Sequence, residues 1–344
     1  MTRRYFGRVL AAAFFATAFG NVALAQLPPG ADKPDGVFDT HAARLLRRMV
    51  TADRTVPYIA RESTLRADSP GAEHIVKFDP KRGLRREPAN GKGRVILDTL
   101  SRAYYFSQGK PGGADAGESR LAKQYEKRVK ELVMRLGKRV LTAQVVGQDT
   151  VAGRTCDIVE VRATRIPDAA TRRFWIDRDT GLRLRTEEKN AAGKVLSGSY
   201  YTSLDLNPKF APDDFMPPTG GGDPKPGGGR EQFATVAEAR SAGVVAPEPA
   251  YLPPGYTLRR VESSGNGRSI ALRYANGLNA LSLTILRDGV PRRVSPFLRS
   301  DGSAYLPFPQ GKHGLFVRGT NGAAYLLIGD LPEAELRKIG ASVK

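Results

Sequence analysis

Asp177 and Asp179 stand two apart in the run Asp-Arg-Asp-Thr-Gly, the spacing with which a calcium loop begins. Such a loop wants acidic or amide side chains at positions 1, 3 and 5, glycine at 6 and glutamate at 12. Here Gly181 falls at position 5 and Leu182 at 6, so the pattern fails. The three histidines, His41, His74 and His313, lie far apart and form no metal-binding pair. A thiol–imidazole pair would have to use the single cysteine, Cys156, and no local signature surrounds it. The chain has no G-x-S-x-G elbow, no phosphate loop and no dinucleotide fingerprint. No spacing singles out two carboxylates for glycoside cleavage. The expectation is a protein with no catalytic residues, no metal and no cofactor.

As a turn, Asp177–Gly181 reads well. Aspartate tolerates bends and Gly181 supplies positive φ. Phe174, Trp175 and Ile176 lead in, while Leu182 and Leu184 lead out. This predicts a hairpin, with Arg183 and Arg185 alternating with the leucines on the opposite, wetter face. Further strands are expected at Tyr58–Leu65, His74–Asp79, Gly83–Glu87, Arg94–Asp98, Ala103–Gln108, Gly153–Ala163, Thr171–Asp177, Leu182–Glu187 and Lys194–Leu204. Lys110–Gly117 reads as a loop. Asp39 can cap a short helix with Ala42, Leu45, Leu46 and Met49 on one side. A second helix carries Leu121, Tyr125, Val129, Leu132, Val133 and Leu136 on one face of a cationic cylinder and ends at Gly137.

The glycine- and proline-rich run Pro217–Gly229 marks a seam and reads as a flexible linker. Beyond it, Thr235 and Glu238 form a capping box before a short helix. Asn276-Gly277 and Asn321-Gly322 turn two hairpins. Asp330, Pro332 and Glu333 open a final helix with Leu336, Ile339 and Val343 inward. Strands joined by turns rather than crossover helices predict an α+β protein. Its first part is a curved antiparallel sheet covered on one face by helices, and a smaller α+β unit follows.

The chain of 344 residues begins with Arg3, Arg4 and Arg8, an apolar run Val9–Phe19, and Ala23-Leu24-Ala25. That is the pattern of a secretory signal peptide cleaved after Ala25. The divisions expected are residues 1–25 signal peptide, 26–216 first domain, 217–230 linker and 231–344 second domain. Lys and Arg number 54 against 35 Asp and Glu, a net charge of +19. Such a balance usually points to nucleic acid. Export points instead to anionic lipids, lipopolysaccharide or acidic protein segments, or to charge that only keeps the protein soluble. Cys156 cannot form an internal disulfide, and its strand-like neighbours suggest burial.

The segments VAGRTCDIVEVRA and FWIDRDTGLRLRTEEKNAAGKVLSGSYYTSL, with RREPANGKGRVILDT before them, resemble the N-terminal domain of the MucB/RseB family of periplasmic sigma-factor regulators. YLPPGYTL and GDLPEAELRKIGASV resemble that family's second domain, in the same order. The resemblance implies a lipoprotein-carrier fold of the LolA/LolB kind for the first domain, an open half-barrel with helices on its concave face. It implies a periplasmic, non-enzymatic sensor. Such a sensor binds the periplasmic region of a transmembrane anti-sigma factor and shields it from proteolysis. Envelope-stress ligands release it: lipopolysaccharide, acyl chains or lipoproteins. The alternative is a lipid or lipoprotein carrier of the same half-barrel type, and a secreted enzyme is a third reading. By position, Tyr105, Leu132, Leu136 and Trp175 are candidates to line a cavity, and Arg183 and Arg185 to meet an anionic ligand. This chain departs from the family in its higher basicity, its long linker and its arginine-rich first helix.

Overall fold

The structure, a computed structural model, describes residues 40–67, 71–107, 115–118, 141–164, 170–190, 192–216, 231–264, 267–276, 279–292, 294–308, 313–319 and 322–344. The expected signal peptide, the cap at Asp39, the helix spanning Leu121–Leu136 and the Pro217–Gly229 linker lie outside them.

Helix α1 (Thr40–Thr55) is longer than the short helix its sequence suggested. Ala42, Leu45, Leu46, Met49 and Val50 recur at three- and four-residue steps and are all buried. Pro57 follows the last turn, where it could not have continued the helix. The buried stripe packs on Leu141, Val159, Val161, Phe174 and Ile176 of the first sheet.

That sheet has eleven strands: β1 (Tyr58–Arg66), β2 (Glu73–Asp79), β3 (Gly83–Pro88), β4 (Arg94–Asp98), β5 (Arg102–Ser107), β6 (Asp115–Glu118), β7 (Leu141–Val151), β8 (Arg154–Ala163), β9 (Thr171–Asp177), β10 (Arg183–Lys189) and β11 (Val195–Asp205). The order is β6-β5-β4-β3-β2-β1-β11-β10-β9-β8-β7. Two antiparallel meanders are thus joined where β1 pairs with β11. The sheet is curved, not flat. Three strands separate β7 from β11, about 19 Å in a flat sheet, yet Cα atoms of the two approach within 8 Å. Bulges at Arg61/Glu62, Val145/Gly147 and Glu188/Lys189 add local bend. At Gly198 a Cβ would lie 2.2 Å from the Thr186 carbonyl, so only glycine allows β11 to pass so close to β10. No pairing of β6 with β7 closes the described strands into a barrel.

Three expectations need correction. Asp115–Gly117, read as loop, lies in β6. Strand β7 went unrecognised; as an edge strand it exposes residues of both parities over Gln144–Thr150, so no alternation marks it. Most consequentially, Arg183 and Arg185 do not share a face. Arg183 pairs with Ile176 and Arg185 with Trp175, which are successive residues of β9, because the register shifts between them.

The second sheet holds β12 (Glu231–Phe233), β13 (Thr257–Ser264), β14 (Ser269–Ala275), β15 (Ala280–Leu286), β16 (Ala304–Pro307), β17 (His313–Arg318) and β18 (Ala324–Gly329). Its order is β12-β13-β14-β15-β18-β17-β16. Helices α2 (Val236–Ser241) and α3 (Glu333–Ala341) bury Val236, Ala239, Leu336 and Ile339 on one side of it. The capping box forms: Thr235 Oγ1 accepts from Glu238 N at 3.1 Å. The Glu238 carboxylate reaches back to Ala234 N, one residue earlier than the standard box. Helix α3 lacks its expected side-chain cap from Asp330; Pro332 stands at the cap position. The β14–β15 turn sits one residue later than expected, since Asn276 N bonds Asn279 O at 3.1 Å. The Asn279 side chain also donates to Ala170 O at 3.3 Å, a direct bond between the two halves of the chain.

Candidate functional site

The Asp177–Gly181 motif is structural. Strand β9 delivers Asp177 to a fully buried position, where its carboxylate accepts from Arg154 Nε at 3.0 Å, Arg154 Nη2 at 2.9 Å and Thr180 N at 2.9 Å. Burial alone would raise this pKa, but the bonds from Arg154 and Thr180 outweigh it and hold it below the ordinary carboxylate range. An occupied carboxylate is no metal ligand. Gly181 adopts φ +82°, and a Cβ there would sit 2.7 Å from Arg48 Cγ, so α1 packs directly on the turn.

The side chains with unusual electrostatics gather where α1 meets the β1 end of the sheet. Tyr58 and Glu62 share parity on β1, and Glu62 stands opposite both Tyr201 and His74. The bulge that separates Arg183 from Arg185 turns Arg183 toward α1, where its guanidinium lies 3.6 Å from buried Asp53. Burial raises the Asp53 pKa, with Arg183 opposing. Tyr201 Oη donates to Tyr58 Oη at 2.9 Å, and burial raises both phenols. Arg86 Nε donates to Glu62 Oε2 at 2.7 Å, and Arg86 Nη2 meets His74 Nδ1 at 3.1 Å. Burial and Arg86 lower the His74 pKa, so its imidazole is neutral and accepts at Nδ1. The same parity carries on through Ile96 to Tyr105 across β3–β5. Arg94 caps that strip, its guanidinium 4.7 Å from the Tyr105 ring centre.

The result is a mixed bed of Asp53, Arg183, Tyr58, Tyr201, Glu62, Arg86 and His74, continued by half-buried Ile96 and Tyr105. Its acids and bases neutralise one another. The histidine faces a guanidinium rather than the carboxylate that would orient a general base. The Cys156 thiol is buried, and burial with nearby Asp177 pushes its pKa up to about 12, so it is protonated at neutral pH. Among the described residues, no group of histidine, cysteine and acidic side chains could hold a metal ion. The arrangement can bind and orient a ligand with polar and aromatic contacts.

Of the residues the sequence singled out, Tyr105 lies on this strip and Arg183 at its buried end. Arg185 lies on the other face, stacked 4.6 Å over Trp175 and bonded to Glu187. Trp175 is only 4% exposed, and its indole donates to Asp149 Oδ2 at 3.0 Å, which places it in the core rather than in a cavity wall. Leu132 and Leu136 lie outside the described residues. Sequence reasoning missed Asp53, Tyr58, Glu62, His74, Arg86 and Tyr201. For Glu62 a signal was present, since it shares strand parity with Tyr58 and Ala60, both of which are buried.

The family model described as the MucB/RseB N-terminal domain matches residues 105–219. Among solved structures, the complex of Pseudomonas aeruginosa MucA and MucB is 21% identical; the match covers 89% of this chain and 99% of that one, with a TM-score of 0.58. A structure of MucB with MucA(peri) is 21% identical, covering 88% and 98%, with a TM-score of 0.57. MucB alone is 20% identical, covering 90% and 99%, with a TM-score of 0.50. No curated protein sequence matches the chain. Residues 105–219 thus match the MucB/RseB N-terminal domain, and the chain shares the MucB fold along nearly all of its length.

Proposed function

We propose that this protein binds the periplasmic region of a membrane-anchored anti-sigma factor, governs that factor's proteolysis, and releases it when an envelope ligand arrives. The observation that carries this reading is the match to MucB over 99% of its length in a structure that contains MucA. The internally neutralised bed on the α1 side of the sheet supports it, because it offers contacts without a reactive group. In this reading the α1 side is the concave one. Tyr105, with Leu132 and Leu136, lines the space that takes the ligand, and Arg86 and Arg94 meet its polar end. Arg183 and Arg185 act from beneath, each already engaged by Asp53 or Glu187. Residues 1–25 are proposed to be removed on export, and 217–230 to tether the two sheets. No helix among the described residues is long and apolar enough to cross a membrane.

The test is cross-linked affinity capture of the chain from the envelope of its own cells. The expected catch is a membrane protein with one span and a periplasmic tail. Recovery of acyl-loaded protein with no membrane partner would replace this reading with that of a carrier.

A further inference from the structure

Helix α1 has a second side. At 3.6 residues per turn, His41, Arg44, Arg47, Arg48, Thr51, Arg54 and Thr55 share one arc of about 140°, and every buried residue of the helix lies on the rest. The arc is exposed except at the partly buried Arg47, and it holds four arginines and no acid. The helix's one acid, Asp53, is on the buried side beside Arg183. Arg48 is bonded to the Asp179 carbonyl, and the Asp179 carboxylate accepts from Arg154 at 3.0 Å, so this acid offsets the arc only near Arg48. Arg44 and Arg47 make no ion pair among the described residues. From Arg44 to Arg54 the helix rises about 15 Å.

We infer that this ridge is a docking surface for an anionic lipid bilayer, with α1 lying along the headgroups while its apolar side stays in the protein core. The charge distribution selects the occupant. Among the described residues this arc holds only arginines, threonines and His41, with no apolar side chain of its own to read a peptide sequence. A row of guanidiniums along a straight helix suits a plane of phosphates. Interfacial helices usually sink an apolar face into the membrane; here that face is occupied, so binding is electrostatic and salt-sensitive. This inference is independent of the anti-sigma reading.

The test is sedimentation of the full chain with vesicles. The protein is expected to pellet with phosphatidylglycerol vesicles at low salt, to stay in solution with phosphatidylcholine, and to be released by high salt. Each basic residue near an anionic surface contributes roughly fivefold, so Arg44→Gln with Arg47→Gln should weaken binding about twenty-five-fold. Arg44 and Arg47 make no ion pair among the described residues, so the variant's melting midpoint serves as the check that it is folded. Equal vesicle binding by the folded variant would overturn the inference. So would indifference of the native chain to phosphatidylglycerol, and so would the same arginines being needed for an acidic polypeptide such as polyglutamate but not for vesicles.

Discussion

Asp177→Ala should cost the fold about 3–5 kcal/mol at neutral pH, the usual penalty for removing one partner of a buried ion pair. The carboxylate is fully buried and takes two bonds from Arg154 and one from the Thr180 amide that shapes the turn. Removing it leaves Arg154 with only the exposed Asp179, unties the β9–β10 hairpin and loosens the surface on which Arg48 of α1 packs. Its neighbour offers the contrast. The Asp179 side chain is 83% exposed, so Asp179→Ala should cost under about 1 kcal/mol despite the same Arg154 contact. Because the folded Asp177 pKa lies below its ordinary value of 3.8, its contribution is fully present above that pH. It is lost as pH falls through the folded value. The gap between native chain and variant should therefore be constant near neutrality and close in strong acid. Denaturant melts across pH read this directly; a loss below 1 kcal/mol for Asp177→Ala would show that the turn is not pinned this way.

Arg183→Ala should be the more damaging of two changes that look alike in sequence. It takes the guanidinium away from the buried Asp53 carboxylate, a loss of about 3 kcal/mol at neutral pH. Arg185→Ala removes a stacking partner from Trp175 while Lys189 still faces Glu187 at 3.1 Å, and should cost about 1 kcal/mol. The Asp53 carboxyl's own contribution runs opposite in pH to that of Asp177, although the deficit closes in acid for both variants. Burial holds the Asp53 pKa above its ordinary 3.8, so the folded chain binds that proton more tightly than the unfolded one. The stability this supplies is fully present below that value and is lost as pH rises through the folded pKa. Without Arg183 the folded pKa moves further up. The Arg183→Ala deficit is then largest at neutral pH and shrinks in acid as Asp53 takes its proton. Equal losses for the two arginine variants, independent of pH, would contradict the bulge that separates them.

The difference between these arginines marks where sequence reading stops. Alternation along Leu182–Arg185 is a sound local rule, but it assumes one continuous register, and a single inserted residue reverses it. The strands themselves were legible because half-buried sheets alternate: Arg94–Asp98 and Thr171–Asp177 match to the residue. Strand β7 was not, since an edge with both parities exposed has no pattern to read. The buried stripe of α1 was readable from spacing, while its partner face was not, because Asp53–Arg183 joins residues far apart in the chain. The polar bed is a product of such long-range pairing. Glu62, His74 and Arg86 come from three strands, and each alone looks like an ordinary solvated side chain.

The central claim is that this molecule holds a partner and does not transform one. Calorimetric titration of the purified chain with the periplasmic region of the anti-sigma factor from its own cells tests it most directly. The account predicts saturable binding with the added polypeptide recovered intact. Absence of binding by protein shown to be folded, or recovery of the polypeptide cleaved or chemically altered, would contradict it.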